Sequence, residues 1–281
     1  MALPRAQRLS VILITGNVIA RSPGAAIFER VLQSVAWADE LVIVDSDSTD
    51  GTRELAARYT DRIYIHPFLG SLKQQKIIAL SYITGDWVLW VDADEVLPPA
   101  LIAEIKAALL APAFHAYQIE RHHFFVGRLL QHAGDDAKVR LWRRDIGAWD
   151  GEDNDDFYTA PPPVGRFHTA LEHYSTLSLH SRLEKVVYFA PAHAALAPLP
   201  PHADYTPMEA WRLIFRPSLQ RIYGELWVQR GYKDGLRGWL WASLCGITEF
   251  IRLILIWERA QGINQTEPAN LVSPGHKVAD P

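Results

Sequence analysis

Glu40–Asp45 reads ELVIVD and runs directly into Ser46-Asp47-Ser48-Thr49-Asp50-Gly51. The first six residues carry β-branched apolar side chains without alternation, as expected of a strand covered on both faces in a parallel sheet. The polar run behind them holds turn and helix-capping residues, so the chain leaves the strand at its carboxyl end and enters a helix. Upstream, Leu9–Thr15 (LSVILIT) repeats the strand pattern. Between the two, Ser22 and Pro23 suit a helix start, and Ile27, Val31, Leu32 and Val35 recur at helical spacing. Downstream the alternation continues: helix from about Thr52 to Tyr59, strand Arg62–His66, helix Gln74–Tyr82, strand Trp87–Val91 and helix Pro98–Leu110. This order predicts an α/β fold with a Rossmann-like open, mostly parallel sheet and helices on both faces.

In such sheets ligands bind in the crevice beyond the carboxyl ends of the strands. Three polar clusters stand there: Thr15-Gly16-Asn17, Asp45-Ser46-Asp47-Ser48 and Asp92-Ala93-Asp94-Glu95. After Ala116 the pattern changes to antiparallel strands, Tyr117–Phe125 and Lys138–Arg143, followed by a proline-rich loop at Pro161–Pro163. Positions 191–206, rich in Ala, Pro and His, read as a linker. Amphipathic helices occupy 207–262, and 263–281 reads as a flexible tail.

With 281 residues, 49% of them hydrophobic, the chain can bury a substantial core. A formal net charge of -4 excludes a general nucleic-acid binder, which needs a basic footprint. Tyr205–Arg259 holds eight Lys/Arg against five Asp/Glu, so this segment alone is locally basic. The single cysteine, Cys245, cannot close an intramolecular disulfide, and no secretory signal is read at the N-terminus. A reducing cytoplasm fits both observations.

Asp92-Ala93-Asp94 follows an apolar strand, so both carboxylates emerge together at the sheet edge, a geometry suited to Mg²⁺ or Mn²⁺ with substrate phosphates completing the shell. A D-x-D tripeptide alone also occurs in surface turns, and its neighbours decide. Ser48, Thr49 and Asp50 are accounted for by a helix cap. Asp45 is not, and it is placed to accept hydrogen bonds from a base or ribose. Gln75-Lys76 opens a helix, where backbone amides and one ammonium can face a diphosphate, although a solvated lysine would look the same. Together the clusters read as a nucleotide-diphosphate site.

The stretches TGN from Thr15, WADELVIVDSDSTDGT from Trp37, QQK from Gln74, TGDWVLWVDADE from Thr84, PVGR from Pro163, HYS from His173 and GYKDGLRG from Gly231 resemble family 2 glycosyltransferases. The branch they are most similar to includes lipopolysaccharide-core β-glucosyltransferases. The resemblance implies a GT-A fold, with 1–110 as the nucleotide-sugar half and 111–190 as the acceptor half. Thr15, Asn17, Asp45, Ser46, Lys76, Asp92 and Ala93 would hold the donor, and Asp92 and Asp94 the metal of a DXD motif. It implies a single inverting displacement in which a carboxylate deprotonates the acceptor hydroxyl. Of the six acids between Asp145 and Asp156, Asp156 is the first choice for that base, Asp155 the second, with Glu152 and Asp153 behind them. The implied donor is a UDP-hexose, and the acceptor a lipid-linked or lipopolysaccharide-type glycan.

Three positions depart from the family pattern: Val18 stands where an acid is usual, Ile77 where Asn is usual, and Asp155 where His is usual. They motivate an alternative, a catalytically weak homologue acting as a membrane-associated scaffold subunit. A nucleotidyltransferase is disfavoured because no Gly-rich phosphate loop follows the first strand.

Trp239–Trp257 is nearly long enough to span a bilayer but contains Glu249 and Arg252, so the sequence predicts an interfacial helix, not a span. In the preceding segment Arg212, Arg216 and Gln220 line one helical face, Trp211, Ile214 and Phe215 another, and Pro217 is expected to start a second helix. A basic, apolar pair of helices favours an anionic membrane surface and a peripheral location on the inner face of the cytoplasmic membrane. Packing on the catalytic domain or in a homo-oligomer would use the same faces. His122, His123 and His132 show no metal-ligand spacing and read as ordinary polar or acceptor-pocket residues. His173 stands apart from them by the resemblance alone.

Overall fold

The computed structural model describes residues 7–20, 24–69, 71–132, 137–150, 157–180, 182–183, 186, 190, 194, 197–200 and 204–262. The strands are β1 (Leu9–Thr15), β2 (Glu40–Asp45), β3 (Ile63–Ile65), β4 (Trp87–Trp90), β5 (Glu95–Val96), β6 (Ala116–Ile119), β7 (Arg121–Phe125), β8 (Arg128–Leu129), β9 (Lys138–Arg143), β10 (Ala148–Asp150), β11 (Phe157–Thr159), β12 (Gly165–Arg166) and β13 (Leu171–Thr176). A seven-stranded sheet has the order β12-β6-β9-β4-β1-β2-β3, and within it β9 runs against the others. A four-stranded sheet, β5-β13-β7-β8, stands beside it, and β10 pairs with β11 as a separate ribbon.

The expected parallel core is therefore present, and its two faces explain the unalternating strands. On β1, Leu9, Val11 and Leu13 point into one apolar layer with α1 (Ala25–Val35) and α4 (Pro99–Leu110), whose Phe28, Val31, Leu32, Leu101 and Ile105 are buried. Ile12 points the other way, into a layer with Val42, Val44 and Ala79 of α3 (Leu72–Tyr82). Apart from Ser10 and Glu40, which bond to each other at the strand starts, both sets of positions are apolar because polar side chains there would meet hydrocarbon. The short α2 (Thr52–Ala56) follows β2, and α3 starts where Ser71 accepts a hydrogen bond from the Gln74 amide.

Two expectations change. The single strand read over Tyr117–Phe125 is broken at Glu120, so that β6 belongs to the large sheet and β7 to the small one. Pro217 does not start a separate helix: α5 (Pro207–Ala210), a π turn at Trp211–Phe215, α6 (Arg216–Tyr223) and a second π turn at Gly224–Val228 follow one another directly. The wider π turn accommodates a proline that has no N–H to give. After a 3₁₀ turn at Gly231–Asp234 comes α7 (Leu236–Ala260). It packs against α6 at Gly246, where any Cβ would collide with Ile222. At its start Phe125 and Leu130 enclose Trp241 and Cys245, which joins the helix to the β7–β8 hairpin.

Candidate active site

The carboxyl ends of β1 and β2 are tied into one unit by short polar side chains. Asp45 is fully buried; its Oδ2 accepts from Thr15 Oγ1 and Ser48 Oγ, both at 2.7 Å, and its Oδ1 from the Ser48 amide at 2.7 Å. Arg53 Nε also approaches Asp45 Oδ1, at 4.0 Å. Ser46 N donates to Thr15 O at 2.8 Å. Asn17, at φ 49°, takes the Thr49 amide on Oδ1 at 2.8 Å, while its own amide donates to Ser48 Oγ at 2.8 Å. Asp50, just ahead of the N-cap Gly51 of α2, accepts the Thr52 amide at 3.1 Å on Oδ1 and the Ala20 amide at 2.6 Å on Oδ2. Thr15, Asn17, Asp45 and Ser46 are thus brought together at the carboxyl ends of β1 and β2. The run after β2 works as more than a helix cap, because it also ties down the loop after β1.

A second cluster forms around Trp90 at the end of β4, which lies beside β1. Asp92 Oδ1 accepts from Trp90 Nε1 at 2.8 Å, and its Oδ2 lies 3.4 Å from both terminal nitrogens of Arg140. The Arg140 guanidinium covers one ring at 3.8 Å, that of Trp90, and Lys76 Nζ lies over the same ring at 3.6 Å. Arg140 is fully buried and also donates to Glu95 Oε1 at 2.7 Å; Arg121 approaches the same oxygen at 3.6 Å. Glu95 Oε2 in turn accepts the Asp92 amide at 2.9 Å, which fixes the turn that carries Asp92-Ala93-Asp94. Burial would raise the Asp92 carboxyl, but the Arg140 guanidinium and then the Lys76 ammonium outweigh it and hold the group at about 2. Burial, and then the neighbouring Arg140, lower the Arg121 guanidinium.

Asp94 faces the small sheet: its Oδ1 lies 3.3 Å from His173 Nε2, and its carbonyl accepts the Tyr174 amide at 2.8 Å. Asp94 raises the Asp92 carboxyl through its own charge, so the two carboxylates share one neighbourhood. Among the described residues no group of three or more His, Cys, Asp or Glu side chains is arranged to hold a metal ion. Two hard oxygen donors still fit a Mg²⁺ or Mn²⁺ that takes the rest of its shell from water and phosphate. A second feature fits a bound diphosphate: Trp149 Nε1 is buried without an acceptor among the described residues, while the Trp149 ring lies 5.5 Å from Lys76 Nζ and 5.2 Å from the Trp90 ring.

Asp155 and Asp156, with Glu152 and Asp153, lie outside the described residues. The strands flanking them, β10 and β11, pair with each other, and Trp149 of β10 packs against Trp90. Of the departures from the family pattern, Val18 is buried in the core beneath α1 and donates its amide to Thr52 Oγ1, and Ile77 is exposed on α3 beside Lys76. Arg121, Arg140 and Trp90 were not anticipated as site residues. The signal for Arg140 was its lone charge inside KVRLWR, a strand that is otherwise apolar at its centre.

The mostly parallel sheet with helices on both faces is the GT-A fold of a glycosyltransferase. Residues 10–170, more than half of the chain, match the family described as glycosyl transferase family 2, and the chain belongs to it. An uncharacterized glycosyltransferase of Rickettsia felis is 32% identical over 137 residues, 48% of this chain and 44% of that protein. The match therefore spans less than half the length of that relative. The lipopolysaccharide core biosynthesis glycosyltransferase LpsC of Rhizobium meliloti is 27% identical over 242 residues, 82% of this chain and 87% of LpsC. Among solved structures the chain is similar to S. aureus TarS in complex with UDP-GlcNAc, at 14% identity and TM-score 0.45, covering 91% of this chain and 92% of that one. It is also similar to glucosyl-3-phosphoglycerate synthase from Mycobacterium tuberculosis in complex with Mg²⁺ and UDP, at 20% identity and TM-score 0.35, covering 50% of this chain and 57% of that one.

Proposed function

We propose that this chain transfers a hexose from a UDP-sugar to a hydroxyl of a lipid-linked or lipopolysaccharide-type glycan, with inversion, assisted by Mg²⁺ or Mn²⁺. The observation that carries the proposal is the Asp92 cluster, where an ionised carboxylate, Asp94 and the Lys76 ammonium gather at the end of β4. The name of LpsC supports the acceptor class. Asp92 and Asp94 would hold the cation, which neutralises charge on the departing nucleoside diphosphate when bound. Thr15, Asn17, Asp45 and Ser46 would receive base and ribose, with Ala93 along the sugar and Lys76 near the phosphates. Arg140 does not need to meet substrate; it pairs with Asp92 and Glu95 and holds the Asp92 carboxyl down. Asp156, or Asp155 beside it, would take the proton of the acceptor hydroxyl as that oxygen attacks the anomeric carbon.

A location on the inner face of the cytoplasmic membrane is supported by the C-terminal helices. Trp211, Phe215, Tyr223, Trp227 and Trp239 are about half exposed, and Arg212, Arg216, Arg230, Lys233 and Arg237 stand among them. Aromatic rings at headgroup depth with interleaved cations suit an anionic surface. α7 has 25 residues, and an 18-residue stretch of it has a mean hydropathy of 1.6, long and apolar enough to cross a bilayer by length and composition. Its Glu249 and Arg252 pair with each other at 2.6 Å, and an interfacial position leaves that pair at the water boundary.

The test is a transfer assay with a panel of UDP-sugars and a lipid-linked glycan extract, with Mn²⁺ and then with EDTA. UDP release and a new glycan product with Mn²⁺ alone support the proposal. Stable association with a partner protein, together with no turnover of any nucleotide sugar, would favour the scaffold alternative.

A further inference from the structure

A cavity of about 350 Å³ opens between the small sheet and the C-terminal helices. Three separate stretches line it: Glu120 and His122 where β6 gives way to β7, Gln131 and His132 after β8, and Gln229 and Arg230 just past the second π turn. Val228 completes the wall. Small-molecule sites of such volume are usually lined by apolar side chains, whereas six of these seven residues are polar or charged. An apolar ligand does not fit it.

Both walls are held by backbone hydrogen bonds. Asp234 accepts the amides of Gln131 and His132 at 3.0 Å each, and its Oδ1 lies 3.4 Å from His132 Nδ1. On the facing wall Gln229 N donates to Gly224 O at 3.0 Å, and Lys233 N to Arg230 O at 2.9 Å. Arg230 itself stands at φ 60°, in the left-handed region that a Cβ makes costly and glycine enters freely. Strain at a cavity-lining arginine suggests a side chain kept for contact.

The chemistry of the lining suits hydroxyls. The carboxamides of Gln131 and Gln229 each donate and accept, as a sugar hydroxyl does, and an imidazole donates in either charge state. Arg230 is the one Lys or Arg among the lining residues, and Glu120 is paired with Arg166, so the cavity lacks the cation cluster that a diphosphate would call for. Its place suits an acceptor. Arg121, between Glu120 and His122, comes within 3.6 Å of Glu95 in the Asp92 cluster. On the other side, Val228–Arg230 stand in the chain between Trp227 and Tyr232, half-exposed rings 5.4 Å apart in the aromatic surface of these helices.

We propose that this cavity is an acceptor subsite: it takes a hydroxyl-rich sugar unit of the glycan, at a remove from the hydroxyl that reacts, while the lipid end stays at the aromatic surface. The proposal rests on the transferase reading above.

The full-length chain tests it with a water-soluble, deacylated lipopolysaccharide-core oligosaccharide as acceptor, which takes the membrane surface out of the measurement. Gln131→Ala and Gln229→Ala should each raise the acceptor KM about fivefold, the scale of one lost hydrogen bond, and leave the Kd of UDP with Mn²⁺ within about twofold of wild type. Arg230→Gly separates contact from structure. Glycine relieves the left-handed turn, so Tm should not fall, while the acceptor KM should rise about tenfold or more. An unchanged acceptor KM in all three variants overturns the proposal. So does a rise matched by an equal rise in the Kd of UDP, because that is general damage. If wild type transfers no sugar, the transferase reading fails instead, and calorimetry of the oligosaccharide alone decides the cavity. Wild-type binding that weakens in Arg230→Gly then supports the subsite; no binding, or equal binding by both proteins, overturns it.

Discussion

Replacing Arg140 by Met is the sharpest perturbation of the site that touches no expected substrate contact. Arg140 is fully buried, 2.7 Å from Glu95 and 3.4 Å from Asp92, with its guanidinium 3.8 Å from the Trp90 ring. Met fills much of the volume but leaves the Glu95 carboxylate with Arg121 at 3.6 Å as its remaining cation. Breaking a buried pair from one side costs about 3–5 kcal/mol, and the retained Arg121 puts this case near about 3 kcal/mol. For a chain of this size that lowers Tm by roughly 6–12 °C. Adding Glu95→Gln removes the stranded charge and should recover part of the loss. Differential scanning calorimetry at neutral pH reads both variants. A Tm within about 2 °C of wild type for Arg140→Met would refute the idea that this arginine balances the buried acids.

Asp156→Asn should lower kcat by about a hundredfold or more while the Kd for the donor stays near wild type; a loss confined to donor affinity would move the base elsewhere. Asp92 has a folded-state value of about 2 against an ordinary 3.8, so its ionisation contributes about 2 kcal/mol of stability. Because the folded value is depressed, that contribution is complete above pH 3.8 and lost as pH falls through about 2; equilibrium unfolding from pH 5 to 2 should show Asp92→Asn losing less stability on acidification than wild type. Changing Trp227 and Trp239 together to Ser should weaken sedimentation with anionic vesicles about tenfold or more and leave UDP binding unchanged, whereas undiminished vesicle binding would assign these helices to protein packing.

The donor half was legible because its physics is local. ELVIVD and LSVILIT lack alternation because both sheet faces are covered, and Asp45, Asp92 and Asp94 stand where strands end, so their positions follow from strand boundaries alone. What surrounds them was not legible. Arg140, Arg121 and His123 reach the cluster from strands distant in sequence, and no periodicity encodes that β7 leaves the large sheet after Glu120. His123 read as an ordinary polar or acceptor-pocket residue because its partner stands 50 positions away. The π turns around Pro217 were missed for a related reason: proline marks a helix start by default, and here a π turn runs into it without a break.

The most direct test of the central claim is calorimetric titration of UDP and UDP-sugars with Mn²⁺ and then with EDTA, on wild type and on the Asp92→Ala, Asp94→Ala double variant. The account predicts binding that requires the metal and that disappears in the double variant while its fold, read by circular dichroism, is retained. Equal binding by both proteins, or wild-type binding indifferent to EDTA, would contradict it.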